Sequence, residues 1–259
     1  MTAGLFDVAG KTVLVTGGSR GIGLMIARGF VEAGATVIVR SRKADACAVA
    51  AEELSALGTC VAMPADLSTD DGVASLAERV AEFAPKLDVL VNNAGATWGA
   101  SIDEFPGSGF DKIFDVNVKA VFALTQKLLP QLRAAATADD PARVVNIGSI
   151  DGLVVSGSEN YSYGASKAAV HMLTRKVAAT LAPDHITVNA IAPGPFPTKM
   201  TAFVLDDPEL RSAMEARVPL GRVGRAEDIA GVAIFLSSPA GAYLTGTVIP
   251  VDGGISGTR

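Results

Sequence analysis

Three side chains of this 259-residue chain have types and spacings suited to acid–base chemistry at an oxygen atom. Tyr163 and Lys167, in Tyr163-Gly164-Ala165-Ser166-Lys167, are four residues apart, so a helix carries both on one face. A free phenol titrates near ~10 and needs help to exchange a proton at neutral pH. An ammonium one turn away favours phenolate, so Lys167 is expected to lower the Tyr163 pKa. Ser149 follows the apolar run Val144–Ile147, and at the end of a strand its hydroxyl is able to hydrogen-bond the same substrate oxygen as the phenol. A Tyr and Lys at this spacing occur by chance in many proteins. With Ser149 beside them they read as a site for carbonyl–alcohol interconversion.

A second group could hold a cofactor. Directly after the β-branched run Thr12–Thr16 comes Thr16-Gly17-Gly18-Ser19-Arg20-Gly21-Ile22-Gly23. Gly17 and Gly21 allow the backbone to turn tightly and approach a pyrophosphate, and Gly23 allows a helix to pack closely on the strand. The helix that follows offers unpaired N–H groups and a partial positive charge to the anion. The spacing is Gly-x-x-x-Gly-x-Gly rather than Gly-x-Gly-x-x-Gly. After the second apolar run stands Arg40-Ser41-Arg42, where an NAD site places a carboxylate for the ribose hydroxyls. Two guanidinium groups and a hydroxyl, with Arg20 from the glycine turn, suit a 2′-phosphate and point to NADP(H). The alternative is that Arg40 or Arg42 is simply a solvated surface residue.

These residues need a scaffold, and the pattern supplies one. Short apolar runs at Thr12–Thr16, Val37–Val39, Cys60–Met63, Val89–Val91, Val144–Ile147, Ile186–Ile191 and Val248–Val251 alternate with helical periodicity. The helical segments lie around 44–57, 73–83, 110–133, 164–182 and 227–237. Continuous apolar strands alternating with amphipathic helices predict a single-domain, Rossmann-type α/β fold: a doubly wound parallel sheet with helices on both faces. Its ligand crevice is expected at the carboxyl ends of the strands. Residues 1–259 are expected to form one domain for dinucleotide binding and catalysis. Pro193–Leu220, with five prolines and irregular pattern, is expected to be a lid over the crevice at about 193–220.

Taken together, these motifs resemble the short-chain dehydrogenase/reductase family over nearly the whole chain. The match is carried by the turn 16–23, Asp66-Leu67, Asn92-Asn93-Ala94-Gly95, Asn117, Ser149, Tyr163 with Lys167, and Pro193-Gly194 with Thr198, in the family's order and spacing. Among its subgroups the chain is similar to β-ketoacyl reductases, including the rhamnolipid-pathway type. The resemblance implies that Asp66 and Leu67 contact the adenine, and that Asn92, Asn93, Ala94 and Gly95 shape the wall behind the cofactor. It implies that Asn117 supports a water relay to Lys167, whose amine also holds the ribose hydroxyls. Thr198 would fix the nicotinamide carboxamide. Ser149 and Tyr163 would grip the substrate oxygen during hydride exchange, with Tyr163 supplying the proton in reduction.

Bulk properties narrow the partners. A net charge of −5 and a pI near 5.1 argue against nucleic acid. Cys47 and Cys60 are not paired in a CxxC motif, and two histidines, His171 and His185, make a metal site unlikely to be built, so none is expected. His171 is expected to pack inside its helix. No membrane span or signal peptide is apparent, so a cytoplasmic enzyme is expected. The family resemblance implies a homo-oligomer, commonly a tetramer. Trp98, Ile150, Leu153, Val154, Tyr161, Phe196, Met200 and Phe203 are candidate walls of an apolar substrate pocket, which suits a small-molecule 3-oxoacyl-like ketone. Asp139, Asp140 and Asp184 are expected to disfavour an acidic carrier protein. A sugar or polyol dehydrogenase, or a catalytically silent NADP(H)-binding redox sensor, remains the alternative.

Overall fold

The computed structural model describes residues 4–199 and 201–258. Seven parallel strands form one sheet in the order β3-β2-β1-β4-β5-β6-β7. They are β1 Thr12–Thr16, β2 Thr36–Arg40, β3 Cys60–Ala62, β4 Val89–Asn92, β5 Ala142–Ile147, β6 Ile186–Pro193 and β7 Val248–Val251. The order reverses at β1, which pairs with both β2 and β4, with Val13 opposite Val37 on one side and Val89 on the other. That reversal opens a crevice at the carboxyl ends of β1 and β4.

The strands are apolar throughout because both faces of the sheet are covered. Successive side chains alternate between two cores. Val13, Val15, Val37, Val39, Val89, Val91 and Val145 face the layer of α1 Gly21–Glu32, α2 Ala44–Ser55 and α10 Ala226–Ser237. Leu14, Ile38, Leu90, Val144 and Val188 face the layer of α3 Asp70–Phe83, α5 Ala120–Lys127, α6 Leu129–Ala135 and α7 Tyr161–Leu181. Replacing fully buried Leu14 by Ala would cost about 2–5 kcal/mol in lost burial and residual cavity.

The stretch expected to be helical around 110–133 is broken into pieces. Helix α4, Gly107–Phe114, runs into a π-turn at Asp115–Lys119 before α5, and Pro130 at the start of α6 ends the α5 pattern near Leu128. The segment after β6 holds two short helices, α8 Ala202–Leu205 and α9 Pro208–Ala216. Among the described residues no helix is long and apolar enough to cross a membrane.

Candidate active site

The glycine turn is held from across the sheet. The Thr16 hydroxyl donates to the Val91 carbonyl (3.3 Å) and accepts from the backbone N–H groups of Asn93 (2.9 Å) and Ala94 (3.0 Å). The Asn93 amide donates to the carbonyls of Thr16 (2.8 Å) and Gly17 (3.3 Å). Gly17 has φ +69°, and a Cβ there would meet Asn93 Nδ2 at 2.7 Å. At Gly23 a Cβ would lie 2.3 Å from the Gly17 carbonyl oxygen. Side chains are excluded at both points because two backbones meet there. Helix α1 then starts with no side-chain cap and no acidic residue in its first turn, so its N–H groups face the crevice without a competing protein anion. This cradle fits a pyrophosphate.

The residues after β2 divide into two kinds. Arg20 and Arg42 are exposed at the surface. Arg40 is buried, donates through Nη2 to the Ala65 carbonyl, and leaves Nε without a hydrogen-bond partner. Burial lowers its pKa to about 10, against the opposing pull of Asp66. Arg40 therefore braces β2 against the turn that carries Asp66 and Leu67, while Arg42 and Arg20 supply the accessible cations. Ser41 is also buried and donates to the Lys43 carbonyl at 2.9 Å. Asp66 accepts from the Ser68 N–H (3.0 Å) and hydroxyl (2.7 Å), bonds that hold its pKa below the usual value.

At the end of β5 the chain passes through Gly148 to Ser149, which caps the single turn Ile150–Gly152 by accepting the Asp151 N–H at 3.1 Å. Helix α7 begins at Tyr161, two residues before Tyr163, and carries Tyr163 and Lys167 to this corner. Lys167 is buried and donates to the Ile147 carbonyl at 2.8 Å, with Nζ 5.5 Å from the Tyr163 ring centroid.

The electrostatics correct one expectation. The Tyr163 phenol is pushed up to about 12, not down: burial dominates, Asp151's negative charge adds to the rise, and a hydrogen bond with Ser149 opposes it. Burial brings Lys167 itself down to about 8. Desolvation outweighs the neighbouring ammonium, whose nitrogen is committed to a backbone carbonyl. At neutral pH Tyr163 therefore carries its proton, ready to donate.

Asn117 lies in the π-turn. Its Oδ1 accepts the Ala96 N–H (2.8 Å), and its Nδ2 donates to the Ala96 carbonyl (3.0 Å) and to Ser166 Oγ (2.9 Å). Ser166 in turn donates to the Tyr163 carbonyl at 2.7 Å. A Cβ on Gly95 would sit 3.2 Å from Asn117 Oδ1 and 3.7 Å from Lys167 Nζ, so Asn117 and Lys167 flank the same bare backbone. Pro193 closes β6, Gly194 donates to the Val251 carbonyl at 3.0 Å, and Thr198 packs against Gly21.

The structure also reveals partners that no local motif names. Asn92 donates to Asn146 (2.9 Å) and Thr125 (3.1 Å), and Asn146 donates to Thr174 (2.9 Å), linking β4 and β5 to α5 and α7 below the crevice. Asn92, like Thr16 and Ser166, stands inside a motif, but the one visible signal of Thr125, Asn146 and Thr174 in the sequence is a polar residue inside an apolar strand or helix face.

Of the candidate pocket walls, Leu153, Val154, Tyr161 and Trp98 are exposed beside the corner, and Phe105 bridges Tyr161 (5.5 Å) and Phe110 (5.3 Å) in edge-on contacts. Phe203 on α8 is 73% exposed. Phe196 is buried against Gly224, where a Cβ would come within 2.4 Å of its ring, and lines a cavity with Pro195, Pro219 and Leu220 rather than standing exposed like the others. Met200 lies outside the described residues. Of the acidic groups expected to repel a carrier protein, Asp140 pairs with Lys11 (2.6 Å) and Arg143 (3.2 Å) and Asp184 with Arg133 (2.8 Å), while Asp139 is exposed. The neighbouring cations offset the charge of Asp140 and Asp184, which weakens that objection.

Known proteins align along the same geometry. The family model described as Enoyl-(Acyl carrier protein) reductase matches residues 17–256. The chain is 52% identical over 249 residues to a rhamnolipids biosynthesis 3-oxoacyl-[acyl-carrier-protein] reductase of Pseudomonas aeruginosa, covering 96% of this chain and 97% of that one. It is 34% identical to 5-keto-D-gluconate 5-reductase of Escherichia coli, covering 97% of each. Among solved structures it superposes on the Pseudomonas aeruginosa RhlG/NADP active-site complex with a TM-score of 0.95 and 52% identity, over 97% of this chain and 98% of that one.

Proposed function

The chain belongs to the short-chain dehydrogenase/reductase family, and on that footing we propose that it is an NADP(H)-dependent reductase of apolar, 3-oxoacyl-like ketones. The observation that carries this function is the corner where α7 brings Tyr163 and buried Lys167, its Nζ 5.5 Å from the phenol ring, to Ser149 at the end of β5 next to the glycine cradle. Gly17, Ser19, Gly21, Ile22, Gly23 and the α1 terminus would hold the pyrophosphate, and Arg20 and Arg42 the 2′-phosphate. Ser41 and Arg40 shape the floor beneath it. Asp66 and Leu67 would bound the adenine; Asn93, Ala94, Gly95, Pro193, Gly194 and Thr198 would line the nicotinamide half. When bound, the cofactor supplies or accepts the hydride.

The chain's own residues do the rest. Ser149 and Tyr163 orient the carbonyl oxygen, and Tyr163 gives it a proton, a contribution of about 10²–10⁴-fold for a placed general acid. Lys167 would hold the ribose hydroxyls of a bound cofactor and, with its pKa brought down to about 8 by burial, can pass a proton towards the phenol. Asn117, fixed to Ala96 and Ser166, shapes the passage from Lys167 to solvent. Residues 193–220 would act as a lid, closing Phe203 over a substrate whose apolar body lies against Leu153, Val154 and Tyr161. Exposed Phe122 on α5, Met172 on α7 and Tyr243 beside edge strand β7 suit burial between subunits of a cytoplasmic homotetramer.

Loss of NADPH absorbance with a panel of 3-oxoacyl thioesters, cyclic ketones and keto-sugars is the test. Fastest turnover on an apolar ketone is expected; preference for keto-sugars would replace this substrate class, and no turnover on any member would leave a binding protein.

A further inference from the structure

His171 has no part in the chemistry above, yet it is buried one helical turn past Lys167 with neither ring nitrogen in hydrogen-bond geometry. Burying an imidazole with little beyond the Gly152 backbone to satisfy its nitrogens is unfavourable where an apolar side chain of similar size would carry no such cost. The ring's neighbours explain what it does there. A Cβ on Gly148 would come within 2.1 Å of its Nε2, and a Cβ on Gly152 within 2.9 Å of its Cε1. Gly148 and Gly152 bracket Ser149. Gly152 also lies against the α7 backbone, where a Cβ would be 2.7 Å from both the Lys167 carbonyl carbon and the Ala168 nitrogen.

Each side of this sandwich is fixed. The Gly148 N–H donates to the Ile191 carbonyl on β6 (2.7 Å), and the Gly152 N–H closes the turn on the Ser149 carbonyl (3.0 Å). Residues 163, 167 and 171 share one face of α7 at intervals of four. The imidazole plate is therefore the spacer between the helix that carries Tyr163 and the turn that carries Ser149. A planar ring fits where two glycine backbones close from the same side; a branched side chain is thicker.

We propose that His171 is a positioning residue that sets the gap between the Ser149 hydroxyl and the Tyr163 phenol, with Gly148 and Gly152 as the two surfaces that register against it. This rests on the catalytic roles proposed for Ser149 and Tyr163.

The test is a double-mutant cycle read as kcat on the best ketone and as the NADPH dissociation constant. His171→Ala should lower kcat about tenfold or more, because small misplacements at a reacting centre are costly, while NADPH affinity stays within about twofold. In a Ser149→Ala background the same change should alter kcat by less than about twofold, since the hydroxyl that it positions is gone. A merely structural role would lower kcat equally in both backgrounds, and that result overturns the proposal, as does a folded His171→Ala enzyme with wild-type kcat. Gly148→Ala gives a second reading that survives a His171→Ala variant unable to fold alone. Its added methyl should lose about tenfold in kcat, and joining it to His171→Ala should recover several-fold; a further loss overturns the spacer. Wild-type turnover by Ser149→Ala and Tyr163→Phe would instead overturn the catalytic roles themselves, a different outcome from an additive cycle between working catalytic residues.

Discussion

The wall of the crevice and the segment that overhangs it are built on opposite plans. Along the carboxyl ends of β1, β4 and β5, polar side chains are spent on one another: Thr16 makes three hydrogen bonds, Asn117 three, and Lys167 reaches the last carbonyl of β5. In the segment after Gly194, neither α8 nor α9 buries a residue, and α9 is held by local bonds such as the Asp207 cap and the Arg211–Glu215 pair. The ends of the segment are tied by Pro195, whose carbonyl accepts from Gly224, and by Leu220, whose N–H donates to Gly253. Its two ends flank a cavity of ≈ 490 Å³ lined by Pro195, Phe196, Pro219 and Leu220. A region with few buried contacts opens at low free-energy cost, whereas the wall opens only with the sheet. The proton chemistry is thus placed where it cannot drift, and substrate choice where the chain is free to rearrange.

Variants on the two sides should differ in kind as well as size. Tyr163→Phe deletes one hydroxyl from the rigid wall and should cut kcat by about 10²–10⁴-fold with NADPH binding intact. Turnover above a small fraction of wild type would break the assignment of the wall to chemistry. Next in size, Arg42→Ala should weaken NADPH by about 10- to 100-fold in a binding titration and NADH far less, since a charge-assisted contact to phosphate is worth about 1.5–3 kcal/mol. Equal losses for both cofactors would remove Arg42 from the phosphate site. On the overhanging segment, Phe203→Ala should raise KM for bulky apolar ketones by about fivefold, with kcat and small-ketone KM nearly unchanged, in proportion to the apolar area lost. A drop in kcat instead would show that the segment shares in the chemistry.

The smallest effect belongs to acid stability and again reports on the wall. Burial above all lowers the His171 pKa to about 4 from an ordinary 6.5; a hydrogen bond with the Gly152 backbone opposes it, and the smaller effects of the Lys167 and Arg175 charges add to the fall. The unfolded chain then binds the extra proton between those values, so stability is lost as pH falls from 6.5 towards 4. The Tm of the wild type should fall more steeply over that window than that of His171→Leu; parallel curves would mean that the imidazole is not buried in solution.

Much of this plan is legible in the sequence because it is local. Strands covered on both faces read as unbroken apolar runs, and the glycine turn and the Tyr163–Lys167 spacing each fit within a few residues. What escapes is set by distance or burial. The Asn92–Asn146–Thr174 chain joins residues 54 and 28 positions apart, which no window captures. Arg40 reads from the sequence as one of the cations for a 2′-phosphate, yet its guanidinium is buried against Ala65. Spacing alone places an ammonium near the phenol of Tyr163 and so predicts a fall in pKa; only the structure shows the desolvation that reverses it. Phe196 reads from its neighbours in sequence as an open pocket wall, but its ring is almost fully buried because Gly224 leaves room for it.

The clasp between Thr16 and Asn93 has a consequence for the order in which the molecule is made. Those partners are 77 residues apart, so when the first strand and helix leave the ribosome the glycine turn lacks this clasp and has only nearer support, such as the Gly18 N–H bond to the Arg40 carbonyl at the end of β2. The clasp closes only after β4 has docked beside β1, a non-local contact of the kind that slows folding. Dinucleotide cannot serve as an early template for such a chain. It can only reward the finished sheet, drawing late, nearly native molecules to completion by mass action.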